Sequence, residues 1–315
     1  MSPLATPDKD HLKKALIAIL LCVGGWFAFS VCDATSKWLT STYSVSQIVF
    51  MSSLPITILS AFIIFMKDGL SGFNTLDLKW HIARAVSVVL TAVFVVNALK
   101  TIPLADFYGI TFLSPFITAL LAALFLKEHL GWHRMMAIIF GFGGVLVIAQ
   151  PQFATYSIGL VFALGATLSI SGTSIVLRKM KSNESLFLFS FFPSFANSIF
   201  HAPGTIQNFV MPTLFDAGIF TILTISVMVG LLLLATGLRK APIYSVVAPF
   251  HYTQIVWGIT LGYLIFGDLP TPTTLAGIGI IVCSGIYMIW REYQVHKKPT
   301  QKKKKLGLFG KSQRF

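Results

Sequence analysis

The sequence has little charge. Only 11% of its 315 residues are charged, against about 25% in an ordinary soluble domain, whereas 55% are hydrophobic and the mean hydropathy is +0.78. So little polar surface cannot cover a water-soluble body of this size, which excludes a large soluble domain, an extended disordered region and a fibrous repeat. A bilayer-spanning helix takes about 20 mainly apolar residues. The composition therefore predicts an all-α polytopic membrane protein with room for ten spans.

Catalytic motifs and paired cysteines are also missing. The sequence contains no HExxH, no GxSxG, no Walker A lysine loop and no acidic pair on one helix for metals. Its three cysteines, Cys22, Cys32 and Cys283, lie in apolar runs without a CxxC spacing, so we expect free thiols. We predict that the chain is not an enzyme and has no catalytic residues, no cofactor and no metal site. A channel or a scaffold is the remaining alternative, although no filter-like run or ring of like charge is present.

Ten apolar runs divide the chain into two sets of five. They cover residues 15–35, 45–66, 81–99, 103–126, 134–150, 157–177, 186–203, 217–238, 243–266 and 273–291. Basic residues are retained on the cytoplasmic side of a membrane. When the N-terminus is placed in the cytoplasm, only Lys37 and Lys100 of the 24 basic residues fall outside. We therefore predict a multi-pass protein of the inner cell membrane with both termini cytoplasmic.

Two segments about 140 residues apart form an internal repeat. Residues 99–128 and 238–268 both begin with leucine, a base, two residues and proline, both end at an acid, and a glycine-rich run follows each. Five spans per half is an odd number, so the halves must be inverted, as in many secondary transporters. We predict a first five-helix repeat at 1–150, a second at 151–295 and a basic cytoplasmic tail at 296–315 that contacts anionic lipid headgroups.

Several motifs resemble a known family. They are FAFSVCDATSKWL (27–39), PLADFYGITFLSPFITALLAALFLKEHLGWHR (103–134), GFGGVLVIAQP (141–151) and APIYSVVAPFHYTQIVWGITLGYLIFGD (241–268). The chain resembles the drug/metabolite transporter superfamily and, within it, the EamA-type ten-helix permeases. Asp-Ala-x-x-Lys and Leu-Ala-Asp look most like the branch that contains adenosylmethionine-uptake and related metabolite permeases.

The resemblance implies secondary-active transport of a small organic metabolite by alternating access. Candidate substrates are adenosylmethionine or another amino-acid-like compound, taken up or exchanged, and the alternative is a proton-driven exporter of amino acids or drugs. The expected partners are the small-molecule substrate and membrane lipids, without nucleic acid, and a homodimer is an option.

Ionisable side chains at bilayer depth are costly, so each is a functional candidate. Asp33 and Lys37 are four residues apart on one helical face, and Lys100 is near Asp106 in the sequence. These charged residues could form salt bridges that hold helix ends together. Alternatively, they could form an outer gate or supply a carboxylate that binds a cationic substrate or a proton. A histidine near the midplane can change charge at physiological pH. The gating or proton-coupling candidates are Asp33, Lys37, Asp106 and His251.

Other polar and aromatic side chains are expected to face a cavity, although neighbouring backbone could also satisfy each of them. The substrate-binding candidates are Trp26, Asn97, Tyr108, Thr111, Asn197, His251, Tyr252, Gln254 and Trp257. Proline removes a backbone hydrogen bond and bends a helix. Pro103, Pro115, Pro242 and Pro249 fall in the corresponding fourth and ninth runs, and they predict kinks that shape a cavity and permit rocking.

Overall fold

The computed structural model describes residues 9–127, 131–149, 157–180, 185–241 and 247–309. These residues form α-helices and two short 3-10 helices, Gly69–Phe73 and Ala248–Tyr252, and no strand. The α-helices are α1 (Lys9–Leu39), α2 (Val45–Asp68), α3 (Leu78–Thr101), α4 (Leu104–Thr111), α5 (Ser114–Leu126), α6 (Trp132–Ala149), α7 (Ser157–Lys179), α8 (Leu186–Gln207), α9 (Leu214–Lys240), α10 (Thr253–Phe266) and α11 (Pro272–Phe309). The prediction of an all-helical chain is confirmed for these residues.

Seven helical segments within the described residues are long and apolar enough to cross a membrane. They are Lys14–Leu39, Val45–Phe73, Leu78–Thr101, Leu104–Leu126, Ile158–Lys179, Leu214–Lys240 and Pro272–Arg291. A shorter apolar helix covers Met135–Ala149, and two prolines, Pro193 and Pro203, interrupt α8. The count of ten spans, the inversion of the halves and the cytoplasmic termini stay predictions.

Two of the apolar runs are broken near their prolines. In the fourth run, α4 ends at Thr111 and α5 begins at Ser114, with Pro115 in its first turn. In the ninth run, the 3-10 helix with Pro249 near its start precedes α10. Pro103 forms the N-cap of α4, whereas Pro242 lies outside the described residues. The expected breaks at Pro115 and Pro249 are thus present, because proline lacks the N–H that a continuous helix needs.

Helices from the first and second halves of the sequence pack side by side. The main pairs are α1 with α9, α2 with α8, α3 with α7, α4 with α10 and α6 with α11. One close approach is between Gly144 of α6 and Gly277 of α11. A Cβ atom on Gly144 would lie 2.8 Å from the Gly277 carbonyl oxygen, and one on Gly277 would lie 2.5 Å from the Gly144 carbonyl oxygen. Glycine at both positions allows the two backbones to touch, as small residues do in membrane helices.

The short helix α4 lies in the interior of the protein. All eight of its residues are buried, and α3, α6, α7, α10 and α11 contact it. Its apolar side chains join a cluster that includes Leu113, Phe116 and Ile148. Asp106, Tyr108 and Thr111 of α4 must therefore find partners inside the protein, because buried polar groups without a hydrogen bond are costly.

Candidate functional site

A carboxylate and a tyrosine from two helices meet near α4. The Tyr108 hydroxyl of α4 donates a 2.7 Å hydrogen bond to Oδ2 of Asp33 on α1. Tyr108 is 2% exposed, and Gly258 of α10 makes room for its ring, which a Cβ atom at that position would overlap. Among the described residues no cation pairs with Asp33. The carboxyl group of Asp33 is therefore held by a hydrogen bond from a neutral donor.

Aromatic rings from both halves of the sequence surround this pair. Trp26 stacks on His251, with ring centroids 3.9 Å apart, and Phe112 packs against His251 at 4.7 Å and Tyr252 at 5.2 Å. The Ser30 hydroxyl lies 3.4 Å from the Gln254 carbonyl oxygen, to which it donates, and so joins α1 to α10. The Gln254 side chain interacts with both the Tyr108 hydroxyl and the His251 ring. We name Trp26, Ser30, Asp33, Tyr108, His251 and Gln254 the Asp33 cluster.

The Asp33 cluster has the chemistry of a cation site. A carboxylate in a low-dielectric interior attracts positive charge strongly, and a tryptophan face adds cation–π attraction. His251 supplies an imidazole that can exchange a proton. The structure thus brings together five of the residues predicted from the sequence, and Tyr252 contacts them through Phe112.

Lys37 and Asp33 have separate partners rather than each other. Lys37 Nζ donates to the Ile102 carbonyl at 2.7 Å and the Leu99 carbonyl at 3.4 Å, and it lies 3.8 Å from Oδ2 of Asp268. Pro103 cannot donate to the Leu99 carbonyl, so that oxygen is free to accept from a lysine. Lys37 therefore joins the end of α1 to the α3–α4 turn and to the segment before α11.

Further polar contacts surround Lys37 at the same end of the bundle. Thr274 donates to Asp106 Oδ1 at 2.7 Å in a fully buried bond. The Tyr43 hydroxyl donates to Asp216 Oδ2 at 2.8 Å. Gln47 exchanges two hydrogen bonds with the backbone of Val210, at 2.6 and 3.0 Å. We call this region, with Lys37 at its centre, the Lys37 end. An open groove of about 650 Å³ lies beside it and is lined by Lys37, Trp38, Thr40, Ser41, Leu99, Lys100 and Phe266.

The remaining predicted residues lie apart from the Asp33 cluster or are satisfied within their own helix. Asn97 Nδ2 donates to the Val93 carbonyl at 2.7 Å, and Thr111 donates to the Phe107 carbonyl at 3.0 Å. Trp257 packs edge-on against Phe27 with ring centroids 5.0 Å apart.

Two polar candidates lie on α8, which packs against α2 and α3. Asn197 and His201 are 7% and 3% exposed. In the described part of the chain, Asn197 Oδ1 and His201 Nε2 have no hydrogen-bond partner. The structure therefore places these two residues outside the Asp33 cluster.

Sequence reasoning missed Arg84 as a site residue, because its position near the start of α3 suits a marker of the cytoplasmic side. Arg84 is only 5% exposed and donates from Nη1 to the Phe189 carbonyl. Its guanidinium carbon lies 3.3 Å from the Phe189 ring centroid. A positive charge inside the hydropathic segment Leu78–Thr101 was the signal available in the sequence.

The chain is similar to known transporters along most of its length. Residues 16–150 match the model of the EamA-like transporter family. The chain is 27% identical to an S-adenosylmethionine uptake transporter of Rickettsia bellii, over 92% of this chain and 99% of that protein. It is 26% identical to the pseudopaline exporter CntI of Pseudomonas aeruginosa, over 85% and 94%. A riboflavin transporter of Rhizobium johnstonii is 23% identical, over 91% and 95%.

A solved crystal structure of a protein supports the fold. It superposes with a TM-score of 0.60 at 15% identity and covers 92% of this chain and 99% of that one. The relatives are named as transporters and none of those above as an enzyme. The seven apolar helices of the described residues indicate an integral multi-pass membrane protein. Its residues 16–150 are similar to the EamA-like transporter family, and most of its length is similar to proteins named as transporters of small metabolites.

Proposed function

We propose that the chain is a secondary transporter that moves an amino-acid-like metabolite by alternating access, with S-adenosylmethionine as the first candidate. One observation carries the proposal: the Asp33 cluster takes Asp33 and Tyr108 from α1 and α4, and His251 and Gln254 from the second half of the sequence. A site shared between two halves changes its accessibility when the halves rock.

The pattern of helix pairs supports two inverted five-helix halves, at residues 1–150 and 151–295. With α4 and α5 counted as the fourth span, exchanging each span for the one five places later turns the α1–α9 pair into the α7–α3 pair. It leaves α2–α8, α4–α10 and α6–α11 unchanged. A two-fold pseudo-symmetric transporter has this property. In the proposed orientation both termini and the tail at 296–315 are cytoplasmic, and the protein resides in the inner cell membrane.

The chemistry of the Asp33 cluster suits a cationic, aromatic metabolite. S-adenosylmethionine carries a positive charge and an aromatic base, for which Asp33 and the stacked Trp26–His251 pair offer a carboxylate and flat rings. The four relatives named as S-adenosylmethionine uptake transporters align over 90% or more of this chain.

Counterflow in proteoliposomes tests the proposal. Purified protein is reconstituted in vesicles loaded with unlabelled compound, and entry of labelled S-adenosylmethionine, methionine, phenylalanine, riboflavin or succinate is followed. We expect saturable exchange of S-adenosylmethionine or an amino acid. Conductance without saturation would instead identify a channel, and exchange restricted to succinate would overturn the cation assignment.

Neutralising the carboxylate tests the site itself. We expect Asp33→Asn to lower the rate of counterflow by about 100-fold, because it removes the only charge of the Asp33 cluster that attracts a cation in a low-dielectric interior. Asp216→Asn is the matched control, since Asp216 lies at the Lys37 end, and it should retain most of the activity. Equal loss in both variants would contradict the assignment.

Proton coupling is assigned to Asp33 or His251. An imposed pH gradient should accelerate uptake in the wild type, and His251→Gln or Asp33→Asn should abolish that acceleration because one of them carries the exchanged proton. If the gradient still accelerates uptake in both variants, neither residue is the proton carrier.

Export is a second candidate, favoured by the similarity to the pseudopaline exporter. Inside-out membrane vesicles separate the two directions. A proton-driven exporter would accumulate the labelled compound in these vesicles, whereas an uptake transporter would release it from them.

A further inference from the structure

Arg84 is a buried cation that has no ion-pair partner among the described residues. It lies six residues into α3, where a long basic side chain could extend to water, yet it is 95% buried, with only 5% exposed. Its contacts are the Phe189 carbonyl, which accepts from Nη1, and the Phe189 ring. Nε of Arg84 is buried without a hydrogen-bond partner within the described ranges.

The acceptor that holds Arg84 comes from a proline. In a regular helix the Phe189 carbonyl would accept from the N–H of residue 193, but that residue is Pro193, inside α8. The released oxygen takes one of the five guanidinium donors. A neutral carbonyl leaves the positive charge itself uncompensated, and a buried charge without a partner is costly.

Arg84 has no carboxylate within ion-pair distance in the described part of the chain, where Lys37 and Asp268 form an ion pair. The nearest acid on α3 is Asp77 at its N-cap, two helical turns before Arg84. Glu184, the acid that precedes α8 in the sequence, lies outside the described residues. His81, one turn before Arg84, is fully buried and stacks on Phe192 at 4.5 Å, so the lining around Arg84 is aromatic.

We infer that Arg84 binds the carboxylate group of the transported metabolite on its route between α3 and α8. The inference rests on the proposed function and adds a substrate class to it: compounds that carry a carboxylate. A carboxylate bound side-on accepts from Nε and a terminal nitrogen of Arg84 together. It would give Nε a hydrogen-bond partner and neutralise the positive charge. The Phe189 carbonyl holds the guanidinium in place until the anion displaces it.

The experiment compares compounds that differ only in the carboxylate. The pairs are S-adenosylmethionine and its decarboxylated form, methionine and 3-methylthiopropylamine, and phenylalanine and phenylethylamine. For each compound, the rise in the thermal unfolding midpoint of the full-length protein in nanodiscs gives the affinity, because a ligand that binds the folded state stabilises it. This readout does not require transport.

In the wild type we expect at least one carboxylate member to bind about 10- to 100-fold more tightly than its amine partner, the range for a charge-assisted bidentate bond. Arg84→Gln, which keeps a donor for the Phe189 carbonyl, should abolish the preference. Arg84→Lys, which keeps the charge without the fork, should retain part of it. Glu184→Gln is the matched control and should leave the preference intact.

Three results would overturn the inference: no carboxylate that stabilises the wild type more than its amine, a preference that survives in Arg84→Gln, or a Glu184→Gln variant that behaves like Arg84→Gln. Counterflow separates this failure from failure of the proposed function. A carboxylate preference that depends on Arg84 without counterflow would leave the site standing and remove the transport proposal, whereas counterflow with no such preference would do the reverse.

Discussion

At each end of the bundle, a basic side chain donates to a backbone carbonyl that a proline four residues later leaves without its usual N–H donor. At the Lys37 end, Pro103 leaves the Leu99 carbonyl oxygen without a backbone donor. Lys37 donates to this oxygen and also pairs with Asp268. Towards the opposite end, about 23 Å before Leu99 along α3, Pro193 releases the Phe189 oxygen to Arg84, which has no ion-pair partner among the described residues.

The difference lies in charge rather than in hydrogen bonding. Lys37 is neutralised by a neighbouring carboxylate and by the negative end of α3, so it stabilises contacts between helices. Arg84 has its hydrogen bond to Phe189, but the described residues offer it no ion pair. Both ends therefore share a basic side chain that donates to a carbonyl left free by a proline. Only the Arg84 end is expected to attract an anion.

The Asp33 cluster connects α1, α4 and α10, and disturbing it should affect transport most. Gly258→Ala adds a Cβ that overlaps the Tyr108 ring, and forced overpacking of this kind costs about 1–3 kcal/mol. We expect Tyr108 to shift away from Asp33 and counterflow to fall more than 10-fold.

Gly262 provides the matched control on the same helix. A Cβ there would lie 3.7 Å from its nearest neighbour, Leu104, which is an ordinary contact. Gly262→Ala should transport at the wild-type rate. Similar losses in both alanine variants would mean that any added methyl group on α10 disrupts packing and that the Tyr108 position is not critical.

Removal of the Lys37 side chain sharpens the contrast between the ends. Lys37→Met leaves Asp268 and two carbonyls without their donor, at a cost of about 1–3 kcal/mol, reduced because Asp268 is 33% exposed. We expect the thermal midpoint in detergent to fall by about 5 °C and a cysteine introduced at Ser41, in a chain without native cysteines, to react faster with a membrane-impermeant maleimide.

Lys100→Met is the comparison variant, because Lys100 lines the same groove but is exposed. It should change neither the midpoint nor the labelling rate. If Lys37→Met left both values unchanged, the Lys37 contacts would not hold this end together.

The smallest effect is expected at Tyr43. Tyr43→Phe removes one hydrogen bond to Asp216, which keeps its bond from Thr213. The expected loss of stability is about 0.5–1.5 kcal/mol, measured as a shift in the thermal midpoint, with counterflow unchanged. A loss of stability larger than that of Lys37→Met would mean that Tyr43, rather than Lys37, contributes most to the stability of this end.

The positions of the helices follow from the apolar runs, because a membrane helix needs a continuous apolar stretch and this requirement is local. The proline breaks at Pro115 and Pro249 were predicted for the same reason. The composition of the Asp33 cluster was also largely predicted, since polar side chains at bilayer depth are few.

Pairing between distant residues could not be predicted. The spacing of Asp33 and Lys37 favours a contact within α1, but Tyr108 and Asp268 reach these residues from other helices, and only the packed fold places them there. Arg84 was misjudged because the sequence does not reveal that Pro193, more than 100 residues later, supplies an acceptor for it.

The glycine contact between α6 and α11 brings one helix from each half of the sequence close together. At Gly144 and Gly277 the two backbones approach closely, and the side chains of Ile281 and Ile148 pack around the contact. In the proposed rocking of the two halves, we expect the smallest displacement at this contact and larger displacements farther from it. Bulkier residues at Gly144 or Gly277 would push α6 and α11 apart. We expect them to alter transport although neither glycine belongs to the Asp33 cluster.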